Sequence, residues 1–122
     1  MQKREAKFQI WFKHWLQANW RKESAAFELK VSKTDTISMG VFRPHQLQSL
    51  LLAKTEMLYF KISDMSFSQL PFDCFVLRKS GAYVVIKFRS GVVMIDIEKL
   101  LAKKCVSLSF EDARKIGTEL PF

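Results

Sequence analysis

Apolar residues recur along the first part of the chain with a helical period. Phe8, Trp11, Phe12, Trp15 and Leu16 fall at i, i+3, i+4, i+7 and i+8, which places them on one face of a helix over residues 5–18. The period then changes to two. Phe27, Leu29 and Val31 alternate with Glu28, Lys30 and Ser32, the pattern of a strand with one apolar and one polar face. Ser24-Ala25-Ala26 lead into it, and their small size would let the first helix approach closely. Ser32-Lys33-Thr34-Asp35-Thr36 reads as a polar loop with turn chemistry. Pro44 suits the first turn of a helix, and Leu47, Leu50 and Leu51 supply a buried stripe for a helix over 44–54.

Strand patterns dominate the second half. Leu58, Phe60 and Ile62 mark a strand over 57–63, followed by a Ser-rich loop over 65–70. Two β-rich runs, 71–77 and 83–88, are split by Lys79-Ser80-Gly81 and read as a hairpin. Ser90-Gly91 turns the chain into a further strand over 92–97, and a short helix begins at 98–102. Ser109-Phe110-Glu111-Asp112 resembles a capping box opening a last helix to about Glu119. The expected fold is α/β, a central mixed sheet of about five strands flanked by helices.

Composition narrows the class. A chain of 122 residues is expected to form one domain, 1–122. A hydrophobic fraction of 48% and eleven Phe exclude a disordered chain. No apolar run approaches the ~20 residues needed to span a bilayer. The basic N-terminus lacks a signal-peptide core and cleavage site, so a cytoplasmic location without membrane attachment is expected. Cys74 and Cys105 form neither a disulfide framework nor a zinc motif, and both are expected to be reduced. His14 and His45 sit in no metal-ligand spacing. The net charge of +8 points to a polyanionic partner, nucleic acid before an anionic membrane.

The candidate chemistry centres on Phe27-Glu28-Leu29-Lys30. Glu28 and Lys30 share one strand face. The carboxylate there can hold a divalent metal, and the ammonium can steady an attacking water or phosphate charge. The same pair also suits the wet face of any strand. Glu5 lies three residues before Phe8 and so extends the apolar helix face. It can serve a site at the sheet or stabilise the helix dipole. Asp73, after Pro71 in an apolar run, needs a compensating partner, whether a lysine, a backbone cap or a metal. If its strand pairs beside the Glu28 strand, both carboxylates could face one Mg²⁺. Gln46, near the edge of the second helix's apolar face, can reach a lysine or a phosphate or act as a boundary residue. Lys33 could contact a phosphate or stay solvated. Trp20, followed by Arg21 and Lys22, could stack on a base or close the helix against the sheet.

Taken together, Glu5, Phe27-Glu28-Leu29-Lys30, Arg43-Pro44-His45-Gln46, Lys61-Ile62-Ser63-Asp64 and Pro71-Phe72-Asp73 resemble small phage-type nucleases of the PD-(D/E)xK superfamily. These are similar to archaeal Holliday junction resolvases and the bacterial recombination protein U group. The resemblance extends through the tail Ser107-Leu108-Ser109-Phe110-Glu111-Asp112-Ala113-Arg114. It implies a restriction-endonuclease-like fold and a homodimer that cuts opposed strands of a four-way junction with Mg²⁺ or Mn²⁺. It also implies that Glu28 and Lys30 form the Glu-x-Lys pair, Asp73 is the metal-binding aspartate, and Glu5 and Gln46 match the helix glutamate and glutamine. One departure is plain: the aspartate strand ordinarily precedes the Glu-x-Lys strand, whereas Asp73 follows it. The implied arrangement has the active-site strands in a rearranged order around a preserved site.

The leading expectation is a metal-dependent endodeoxyribonuclease acting on branched DNA. A relative with a single-strand, flap or duplex-end substrate, or a nucleic-acid-binding module without catalysis, is the alternative. Lys3, Arg4, Lys7, Lys33 and Arg43 are the expected phosphate contacts. A dimer surface is expected either at an exposed edge strand over 92–97 or on the aromatic first helix.

Overall fold

The computed structural model describes residues 3–20, 24–55, 57–61, 74–78 and 81–122. The first helix, α1 (Lys3–Asn19), leads to β1 (Ala25–Val31), a short β2 (Thr36–Ser38), a single 3-10 turn and α2 (Pro44–Thr55). Next come β3 (Met57–Lys61), β4 (Cys74–Arg78), β5 (Gly81–Lys87) and β6 (Val92–Asp96). The chain ends with α3 (Ile97–Lys103), β7 (Ser107–Ser109), α4 (Phe110–Ile116) and β8 (Thr118–Leu120).

Among the described residues the central sheet has four strands in the order β1-β5-β6-β8. It is mixed: β5 runs parallel to β1, and β6 is antiparallel to both β5 and β8. Parallel neighbours cannot be joined by a tight turn, and here α2 lies in the connection between β1 and β5. Helices cover both sheet faces. Phe8, Phe12, Trp11, Trp15 and Leu16 of α1 pack on the face carrying Phe27, Leu29, Val31, Val85 and Val92. Leu47, Leu50 and Leu51 of α2, with Leu100 of α3 and Ala113 of α4, pack on the opposite face against Val84, Ile86, Val93 and Ile95. Covering both faces explains why Val84, Val85 and Ile86 are buried in succession instead of alternating. Phe8 is only 1% exposed, and burying such a ring contributes about 1.5–3 kcal/mol.

The helical and strand periods of the first half therefore hold, down to the separation of Phe27, Leu29 and Val31 from Glu28 and Lys30. Ala26, however, joins the cluster on the α2 side, so it does not serve α1. Three further expectations change. The sheet has four described strands where about five were expected. The hairpin of residues 71–77 and 83–88 is replaced: β4 pairs antiparallel with β3, because both edges of β5 are taken by β1 and β6. The last helix stops at Ile116, and Thr118–Leu120 instead extends along β6 as β8. That pairing makes β6 an interior strand, so residues 92–97 are not an exposed edge for a dimer.

Local chemistry fixes the element ends. Ser109 caps α4 by accepting from Asp112 N at 3.1 Å. Gln46, third residue of α2, accepts at 3.2 Å from Arg43 N, one half of a capping box. Asp96 caps α3 by accepting from Glu98 N at 2.9 Å. Its other oxygen accepts from Lys54 of α2 at 2.6 Å, and Lys54 also lies 3.2 Å from Glu98, so one lysine ties α2 to α3. Burial works to raise the Asp96 carboxyl, but the Lys54 hydrogen bond and the cap outweigh it and hold the group below the usual carboxylate value. The hydrogen bond to Asp96 correspondingly raises Lys54.

A depressed carboxyl contributes stability above its unfolded value, and this is lost as pH falls through the folded value. Asp96→Asn keeps a good cap but removes the charge. Its denaturation midpoint should therefore fall less than wild type between pH 6 and pH 3, both ordinary bounds around the ~3.9 of a free Asp. Asp96→Ala should cost about 1–2 kcal/mol at neutral pH through the cap alone. Identical acid slopes for wild type and Asp96→Asn would contradict this assignment.

Candidate active site

The candidate site lies where α1 meets β1, which among the described residues pairs on one side only, with β5. Helical spacing places Glu5, Phe8 and Gln9 on one strip of α1 at i, i+3 and i+4. The β alternation that buries Phe27 and Leu29 under α1 turns Glu28 and Lys30 the other way, and the unpaired side of β1 leaves both reachable. Glu5, Phe8, Gln9, Glu28, Leu29, Lys30 and Val31 line one recess of about 200 Å³. Lys30 Nζ lies 3.5 Å from Glu28 Oε1, with the two side chains 23% and 27% exposed. The pair is thus half-buried yet open to a ligand.

Three of the expected site residues, Glu5, Glu28 and Lys30, line this same recess, and the contact among them is the Glu28–Lys30 pair within β1. Gln46 does not line this recess and instead bonds to the start of its own helix. Asp73 lies outside the described residues. The condition that its strand pair beside the Glu28 strand is not met among the described residues: β1 is paired with β5, and β4, which begins at Cys74, is paired with β3. Gln9 was missed by the sequence reading, although its i, i+4 spacing from Glu5 would have found it once Glu5 was chosen.

The recess is lined by two glutamates, whose oxygens are the donor type that a hard cation takes. Magnesium takes oxygen ligands near octahedral geometry and keeps several waters, so one or two carboxylates suffice. Among the described residues no group of three or more His, Cys, Asp and Glu side chains converges. His14 and His45 are both exposed, and Cys105 is a free half-buried thiol. Carboxylate oxygens of this kind are the donors that Mg²⁺ or Mn²⁺ takes, whereas zinc takes His and Cys as well.

Of the expected phosphate contacts, Lys7, Lys33 and Arg43 are exposed, and none forms an ion pair within 4.0 Å among the described residues. Lys3 and Arg4 belong to the first turn of α1, with side chains outside the described set. Lys33 sits on a loop held firmly. Ser32 Oγ donates to Thr36 O at 2.7 Å, Arg89 N donates to Thr34 O at 3.0 Å, and Asp35 accepts from Ser90 N and Oγ at 2.8 and 2.5 Å. The Ser90 hydroxyl and then its N–H hold the Asp35 carboxyl below the usual value. Trp20 packs edge-on against Phe27 and Tyr83, at 5.3 and 5.7 Å between ring centroids, and so closes α1 onto the sheet.

No family model, curated protein or solved structure matches this chain. No helix among the described residues is long and apolar enough to cross a membrane.

Proposed function

We propose that this chain is a metal-dependent endodeoxyribonuclease that hydrolyses phosphodiester bonds in branched DNA, a four-way junction foremost, as a cytoplasmic homodimer. The observation that carries this reading is that Glu5 from α1 lines the same open recess as Glu28 and Lys30 from β1. The net charge of +8 supports a polyanionic substrate. The α/β/α layering, with an acid-x-lysine strand at its edge, supports a restriction-endonuclease-like fold and resembles the PD-(D/E)xK nucleases.

In this mechanism Glu28 and Glu5 would hold the divalent ion. A divalent ion held there would supply charge neutralisation at the scissile phosphate and a more acidic water. Lys30 extends its ammonium into the recess. There it orients the attacking water or hydrogen-bonds a non-bridging phosphate oxygen as charge builds. Gln9 and the buried Phe8 of α1 also line the recess, and Gln9 would offer an amide donor there.

The test is cleavage of a labelled four-way junction beside linear duplex and single-strand controls, with Mg²⁺, Mn²⁺ or EDTA. Paired symmetric nicks that require metal are expected. Metal-dependent cutting of every DNA equally would keep the nuclease and remove junction selectivity. Tight binding without cutting under either metal would leave a binding module. Affinity should also fall steeply with salt, with a log–log slope of about −0.9 per phosphate contacted; a flat titration would remove DNA as the partner.

A further inference from the structure

A second recess, of about 410 Å³, opens between the β5–β6 turn and the segment after β8. Lys87, Arg89, Glu119 and Phe122 are among its lining residues. It adjoins the first. Phe8 lines the Glu28 recess, and its ring lies 6.2 Å from that of Phe122. Lys87 stands opposite Val31 in the parallel β1–β5 ladder, and Val31 also lines the Glu28 recess. Adjacent strands lie about 4.8 Å apart, so Lys87 is one strand away from the candidate site.

The cations of this groove are available to a ligand. Arg89 is exposed, and neither it nor Lys87 forms an ion pair within 4.0 Å among the described residues. Lys87 Nζ sits 4.9 Å from the centroid of the Phe122 ring, a contact that positions an ammonium without neutralising it. The acid in the lining, Glu119, pairs with Arg114 Nε at 3.0 Å, a guanidinium it shares with Glu111, so its charge is partly offset. The turn is also braced. The Asp35–Ser90 and Thr34–Arg89 hydrogen bonds anchor it to the loop that carries exposed Lys33. The groove therefore presents fixed, uncompensated positive charge directly beside the Glu-x-Lys strand.

We infer that this groove holds the sugar–phosphate backbone of the DNA strand that enters the Glu28 recess, with Lys87 and Arg89 each on a phosphate. Resting on the nuclease reading, this assigns the strand's path across the same site. Neither residue belongs to the acid–lysine set, and both come from the β5–β6 end of the chain.

The test is binding of a fluorescent four-way junction, without metal, across a salt series. Wild type is compared with Lys87→Met/Arg89→Met and with Lys103→Met. Lys103 is an exposed cation in the last turn of α3, which follows β6 at the sheet end away from Lys87. The double variant should lose roughly 30-fold in affinity at physiological salt and flatten the salt slope by about two, with Lys103→Met within about twofold of wild type. A logarithmic loss in the double variant only about twice that of Lys103→Met would overturn the groove, since the charge removed would then explain both. Cleavage with Mg²⁺ separates the two readings. A wild type that cuts DNA while the double variant binds like Lys103→Met removes only the groove. A wild type that neither binds nor cuts any DNA removes both.

Discussion

Glu28→Gln should reduce metal-dependent cleavage by about a thousandfold while leaving DNA affinity within about threefold of wild type. The substitution is nearly isosteric and keeps an oxygen in the recess. What it removes is the negative charge that would attract a hard cation to β1. Metal stabilisation of a phosphoryl transition state is worth several kcal/mol, and each 1.36 kcal/mol is a factor of about ten in rate. Affinity should persist because phosphate contacts elsewhere carry it. Lys30 Nζ, 3.5 Å from Glu28, would lose its counter-charge in the variant. That change favours phosphate binding if anything, so affinity and rate should separate. Single-turnover cleavage of a labelled junction, with binding measured on the same DNA, checks both halves. Full cleavage by Glu28→Gln would remove the residue from the chemistry, and a parallel collapse of binding would make its role electrostatic or structural.

Gly117→Ala should destabilise the fold by about 3 kcal/mol, the upper part of the range for overpacking. Gly117 follows α4 with extended backbone, φ −134° and ψ −170°, so conformational freedom is not the reason for glycine here. Space is. A Cβ at this position would lie 2.6 Å from Met94 O, 2.8 Å from Ile95 Cγ1 and 2.9 Å from Val93 Cγ1. The nearest atom belongs to the backbone of β6, an interior strand that cannot yield like a flexible side chain. Relief would require β8 to lift from β6, exposing Leu120, now 5% exposed. For a domain of this size, 3 kcal/mol corresponds to roughly 10–15 °C in Tm. A thermal or urea midpoint near that of wild type would show that β8 can move aside.

The reach of sequence pattern is clearest in α1 and β1. Five apolar residues of α1 at helical spacing, and three of β1 at strand spacing, identified both elements and the faces that meet. The Pro44 start and leucine stripe of α2 were equally readable. These are local properties: a side chain's direction follows from the repeat of its own element. The same logic selected Glu28 and Lys30 as one polar face. It also kept Glu5 in view as an acid in line with the apolar face of its helix, although Glu5 itself is exposed.

Partner choice between strands was not readable, because hydrogen-bonding edges carry no side-chain signature. The hairpin reading paired β4 with its neighbour in sequence, β5. The folded chain gives the edges of β5 to β1 and β6, and β4 to β3. Likewise Thr118–Leu120 looked like the continuation of a helix until Gly117 and the free edge of β6 made it a strand. The recess shared by Glu5 with Glu28 and Lys30 across two elements belongs with these tertiary outcomes, as does the groove lined by Lys87 at the end of β5 and Arg89 in the β5–β6 turn. Sequence by itself determined which side chains share a face, since that follows from the period of one element. Only the tertiary structure decided which faces and edges meet, since that depends on competition among all elements for the same buried surface.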